Sequence, residues 1–162
     1  MTDIALVFRP EHLDFDLVLD SGDLLGDEGI NTPVIISIFT DRLAKTGDRI
    51  PDAQPGQPGD PRGWWGDAVD PDAGAIGSRL WLLNREKQRE ETLIRARQYA
   101  AEAVDWIKEE RLADEVLTHV RAAAPGWLEI SVECRNTRLG EYRTARWTMF
   151  VDYASGTIKF AL

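Results

Sequence analysis

Between residues 48 and 77 the sequence denies itself any long regular element. The stretch DRIPDAQPGQPGDPRGWWGDAVDPDAGAIG holds five of the eight prolines and six of the 13 glycines. Proline removes a backbone donor, and glycine weakens helix and strand interiors. Ordinary connections run to roughly 4–6 residues, and much longer ones are functional or disordered. Trp64 and Trp65 stand side by side within it, and disordered segments are poor in aromatics. The stretch is therefore expected to be an irregular loop at 48–77 with a definite course, dividing two patterned parts of one domain over residues 1–162.

The part before it reads as β then α. DIALVF is short and apolar, as a strand is. In FDLVLDSGDLLGDEG apolar and acidic residues alternate, and Asp20-Ser21-Gly22-Asp23 is a turn signal, so residues 3–25 predict a small meander or hairpin. Asn31 or Thr32 can cap a helix whose first turn accommodates Pro33. Val34, Ile35, Ile38, Phe39 and Leu43 recur at helical spacing, with Gly47 as the stop.

After the loop, Gly77-Ser78 leads into RLWLLNREK. A longer helix is expected from about Glu90 to Arg111. Leu93, Ala96, Ala100, Ala103, Val104 and Ile107 form one face, widened by Tyr99 and Trp106, while Arg97, Glu102, Asp105 and Lys108 point away. A face that wide suits a helix pressed on a sheet. VLTHV, WLEISVEC, YRTARWTMFVDY and TIKFAL then read as strands. Leu128, Ile130, Val132 and Cys134 share one side of the second, and Ala145, Trp147, Met149 and Val151 one side of the third. RNTRLGE (135–141) and Ser155-Gly156 supply turns, and strands joined by short turns pair antiparallel. The fold class is α+β: an antiparallel β-meander on one long and one shorter helix, with an N-terminal hairpin.

The totals narrow function. Twenty-eight acids against 19 Lys plus Arg give a formal charge of -9, which disfavours nucleic acid, whose phosphates need a concentrated basic surface. REKQREETLIRAR (85–97) reads as a solvated helix face with pairs such as Glu91–Arg95. No run approaches the ~18 apolar residues of a membrane span, and the N-terminus lacks the pattern of a signal peptide. Synthesis and retention in a reducing cytosol are expected, since Cys134 has no partner for a disulfide.

No catalytic, cofactor or metal residues are assigned. His12 and His119 belong to no zinc-spaced cluster, and Cys134 falls on the apolar phase of its strand, as a structural thiol does. DSGDLLGDE (20–28) and DPDAG (70–74) miss the spacing of a calcium loop, and turn chemistry explains their acids. Paired carboxylates for glycoside hydrolysis need a fixed separation, and an acidic chain offers many pairs by chance. That leaves the tryptophans. They either cover the edge of the core or anchor a partner, with Arg62 two residues upstream; aromatics and Arg serve well as anchors.

DIALVF, LDSGDL, ISIFTDRLA, RGWWGD, IGSRLWLL, REK and RARQYAAEAVDWI occur in the order found in a phage tail family. The chain resembles the Mu-like baseplate wedge proteins of contractile tails, which in turn resemble the lysozyme-like baseplate wedge family. The resemblance spans about residues 3–133. That broader family carries an acid-Pro-Arg-aliphatic motif at the end of a helix. Glu109, Glu110, Arg111 and Leu112 stand in its place, with Glu110 where the family has proline. The resemblance implies no enzyme activity and no cofactor. It implies a structural role in the virion tail baseplate, with synthesis in the host cytoplasm and several copies per baseplate. The implied partners are a baseplate J-like wedge protein, sheath subunits, and hub or spike proteins, with no nucleic acid or membrane. Partner contacts are expected at Arg62, Trp64, Trp65, Glu109 and Arg111, with an edge of the C-terminal meander starting the sheath. The competing readings are a cell-wall hydrolase and a free-standing adaptor.

Overall fold

The computed structural model describes residues 3–9, 14–27, 30–51, 53–70, 74–84, 86–125, 127–136, 143–152 and 158–161, with backbone alone at Asp3, Phe8, Asp14, Asn136 and beyond. The N-terminal strands β1 (Asp3–Ile4), β2 (Leu6–Arg9), β3 (Asp14–Leu17), β4 (Leu19–Asp20), β5 (Asp23–Leu24) and β6 (Gly26–Asp27) form the expected hairpins. β2 pairs with β3, β4 with β5, and β1 with β6, all antiparallel. Ser21 and Gly22 take φ of 51° and 91° between Asp20 and Asp23. This is the two-residue turn whose twist matches paired strands.

Helix α1 (Asn31–Phe39) follows, but neither Asn31 nor Thr32 caps it. Asp27 does so from outside. Its Oδ2 accepts the Thr32 N–H at 2.7 Å, and its Oδ1 accepts from Asn31 Nδ2 at 3.0 Å. The Thr32 hydroxyl is thereby free to accept the Leu6 N–H at 3.0 Å and donate to the Ile4 carbonyl at 3.1 Å. The helix is tied to the break between β1 and β2. Phe15 and Phe39 add a tilted ring contact at 5.8 Å.

The helix ends at Thr40, well before Gly47, because residues 40–42 turn extended and run beside residues 77–79. Ser78 N–H donates to the Thr40 carbonyl at 2.8 Å, and Arg42 N–H to that of Ser78 at 2.9 Å. Gly77 permits this approach, with φ of 99° and room for a Cβ only 2.3 Å from the Thr40 oxygen. Leu43 consequently leaves the helix face and is exposed.

The long helix is broken. α2 (Glu90–Val104) and α3 (Trp106–Glu109) meet at Asp105, where Trp106 Nε1–H donates to Ser37 Oγ of α1 at 2.9 Å. The expected Glu91–Arg95 pair does not form, since Arg95 reaches back to Glu86. Glu102, expected on the outer face, is half-buried. α3 ends in a Schellman motif: Leu112 N–H donates to the Ile107 carbonyl at 2.9 Å and Arg111 N–H to that of Lys108 at 3.0 Å.

The C-terminal sheet has the order β10-β9-β8-β7, built from β7 (Glu115–Ala124), β8 (Trp127–Asn136), β9 (Arg143–Asp152) and β10 (Ile158–Ala161). Neighbours are antiparallel, as a meander requires. Leu128, Ile130, Val132 and Cys134 are buried in one core with Ala96, Ala100, Ala103, Val104 and Ile107, and with Val34, Ile38 and the 3₁₀ turn Leu80–Leu83. The alanines let α2 lie close on β7. Burying each large aliphatic there is worth roughly 1.5–3 kcal/mol. By register Ala145, Trp147, Met149 and Val151 stand opposite Cys134, Val132, Ile130 and Leu128. Their side chains lie outside the described residues, as do His12, Pro71–Ala73, Arg85, residues 137–142 and Ser155-Gly156, where turns were expected.

Candidate partner-binding surface

The segment from 48 to 77 has, among the described residues, one 3₁₀ turn at Trp65–Ala68 and one small bridge, Gln54 to Gln57. Its course is set by side chains. Arg62 sits at φ of 53°, a left-handed conformation that costs a non-glycine about 1 kcal/mol. Three contacts hold it there. Its N–H donates to Asp60 Oδ1 at 2.9 Å, its Nη1 to Asp41 Oδ2 at 2.6 Å, and its guanidinium lies 4.6 Å over the Trp81 ring. Trp81 Nε1–H donates in turn to the Arg42 carbonyl at 2.8 Å. Arg62 thus pins the loop to the core.

A second anchor lies inside IGSRLWLL, a stretch whose pattern assigns it no role of its own. Arg79, 13% exposed, donates from Nη1 to both Asp48 oxygens at 2.9 Å and from Nη2 to Glu102 Oε2 at 2.6 Å. It also stacks 4.5 Å over Tyr99. Glu102 pairs further with Lys45 and lies 3.8 Å from Arg42. Burial pushes the Asp48 carboxyl up, but hydrogen bonds from Arg79 and the Lys45 amide bring it below its ordinary value. Burial likewise opposes ionisation of Glu102, and Lys45 and Arg79 outweigh it. The readable trace of this network was Tyr99 and Glu102, three apart and so neighbours on one helix side.

Beyond these anchors the chain rises to Trp64 and Trp65, their rings 5.6 Å apart and tilted by 47°. Trp64 is 40% exposed and folds over Gly66, where a Cβ would come within 2.3 Å of the indole. Trp65 is 77% exposed, and Val69 75%. Asp67 Oδ1 accepts the Ile76 N–H at 3.1 Å, closing the crest. Trp64, Trp65, Val69 and Ile76 line a shallow, mainly apolar depression. The two indoles therefore differ: Trp64 half covers its own loop, and Trp65 projects.

Gly74 and Ile76 also line a second, larger groove of about 650 Å³. Its walls are Pro33 and Ile36 of α1 and Trp106, Glu109 and Glu110 of the α3 turn. The tryptophans and Glu109 thus belong to adjoining parts of one surface. Arg111, at φ of 58°, occupies the left-handed position of the helix stop, with its side chain exposed.

The remaining candidates are accounted for differently. His119 is exposed on β7. Cys134 is buried, and burial pushes its thiol up to about 11, so little thiolate exists near neutrality. Asp27 spends its carboxylate on α1. No group of three His, Cys, Asp or Glu suited to a metal occurs among the described residues.

A family model described as Phage protein GP46 matches residues 30–139, a span holding both anchors, the tryptophan crest and the groove. The chain belongs to this family. Baseplate protein gp46 of Escherichia phage Mu is 40% identical over 132 residues, covering 82% of this chain and 86% of the relative. The Mu-like prophage FluMu protein gp46 of Haemophilus influenzae is 37% identical over 116 residues, covering 72% and 73%. The Mu-like affinity read from RGWWGD, IGSRLWLL and their neighbours is borne out. No solved structure matches.

Proposed function

We propose that this protein is a structural component of a phage or phage-derived tail baseplate, acting through its surfaces. The observation that carries the reading is Trp65, 77% exposed beside Trp64 and Val69 on a loop held still by Arg62 and Arg79. Contiguous exposed apolar surface marks interaction sites, and an anchor ordered beforehand loses less entropy on docking. The relation to the Mu baseplate protein supplies the setting. The crest docks a larger wedge subunit of the baseplate J type, with Glu109 at the far end of the contact. Several copies assemble per baseplate, near the hub and spike, after synthesis in the host cytoplasm.

The sheath contact is proposed at the meander. β10 pairs with residues 148–151 of β9, and residues 143–146 have no strand on that side among the described residues. A sheath strand adding there would gain backbone hydrogen bonds directly. Co-expression with the neighbouring wedge subunit should give a complex stable to gel filtration, and separate elution in every arrangement would sink the reading. Immunodetection in purified particles separates a baseplate component from a free adaptor. Peptidoglycan clearing that is lost on replacing an acid would favour a hydrolase instead.

A further inference from the structure

We propose that the groove between α1 and the α2–α3 junction receives a basic, amphipathic segment of another protein chain, an inference that rests on the baseplate reading and specifies a second contact within it. The groove offers apolar side chains that the core does not use. Ile36 is 40% exposed while its helix neighbours Ile35 and Val34 are buried, and Ile76 faces it from the loop. The Trp106 ring lines it with its one donor already satisfied by Ser37, so the indole asks a partner for apolar contact only. Ser37, Ala103 and Gly77, all buried, mark the deepest part.

The charge at the rim selects the occupant. Glu109 and Glu110 are exposed and have no ion-pair partner among the described residues. Asp105 is offset by Lys108 at 2.6 Å. Arg42 lines the groove too, but faces the Glu102 carboxylate. Lys or Arg side chains flanking apolar residues complement this rim. Nucleic acid is repelled by it, and a second copy carries the same formal charge of -9. Complementary charge chiefly sets encounter and register, while the apolar residues supply retention.

The test is photo-crosslinking in assembled tail particles, with p-benzoylphenylalanine at position 36 and, separately, at position 65. Position 36 should capture a peptide of another chain that has at least two Lys or Arg beside apolar residues. The variant Glu110→Lys, at a rim residue outside the crest contact, should lower that crosslink about fivefold while leaving the position-65 crosslink and the melting temperature unchanged. Capture from position 65 with none from position 36 overturns the groove proposal and leaves the baseplate reading standing. So does capture of an acidic peptide or of a second copy at position 36. If neither position captures anything and the protein is missing from particles, both fall together.

Discussion

The chain from Asp41 to Gly63 and the chain from Trp64 to Ile76 share a Gly/Pro/Asp character, yet they treat their functional side chains in opposite ways. In the first, Arg62 and Asp48 are turned against the body of the domain and partly buried. Arg62 lies on Trp81, and Asp48 and Lys45 meet Arg79 and Glu102. In the second, the large apolar groups are turned outward, with Trp65 and Val69 mostly in solvent. Burial of charge costs free energy unless it is well paired, and exposure of tryptophan forfeits the gain of burying it. Together they teach that irregular chain can be fastened by side-chain contacts, and that fastening low in the loop presents aromatic surface above it.

Breaking the lower half should have the largest effect. Arg79→Ala leaves Asp48 without its cation in a partly buried site and should destabilise by about 3 kcal/mol in urea unfolding; a loss under about 1 kcal/mol would mean that Asp48 and Glu102 find water easily. Trp65→Ala tests the upper half. Unfolding free energy should change by less than about 0.5 kcal/mol, while affinity for the wedge subunit falls by about 2 kcal/mol or more, roughly thirtyfold. A variant that melts early would make Trp65 core after all.

Acid sharpens the comparison further. Asp48 and Glu102 are held below their ordinary values of 3.8 and 4.5. Groups depressed in this way stabilise the fold above those values and lose that contribution as pH falls. The melting temperature should therefore drop below about pH 4, and the drop should be shallower in the Arg79→Ala protein. Gly66→Ala should displace the Trp64 ring at a cost of about 1 kcal/mol, visible as a shift in tryptophan fluorescence. The smallest change belongs to the helix stop: Arg111→Gly relieves the left-handed strain and should raise stability by about 0.5 kcal/mol.

Legibility in the sequence followed the range of the forces involved. β8 could be read because its alternation reports one buried face, and the turn at Gly22 because its positive φ favours glycine. The end of α1 could not, since it is set by Ser78 bonding to Thr40, a partner far along the chain. The break at Asp105 was hidden in the same way: the local pattern through Trp106 and Ile107 is continuous, and Trp106 bonds to Ser37 on another helix. Trp64 and Trp65 were identifiable as a pair, but the sequence left their division open. Gly66 settles it locally by giving one ring a place to rest. The Arg79 network escaped notice because its charged members, taken alone, look like surface charge and meet only through the fold.

The narrow turn at Gln54 and Gln57 has a practical side. It is exposed, and the chain on both sides is fastened, through Asp48 before it and Arg62 after it. Loop tips of this kind accept foreign residues readily. An affinity handle spliced between them would ride with the protein into a tail, on a stem short enough to locate each copy by electron microscopy, and without shading either indole.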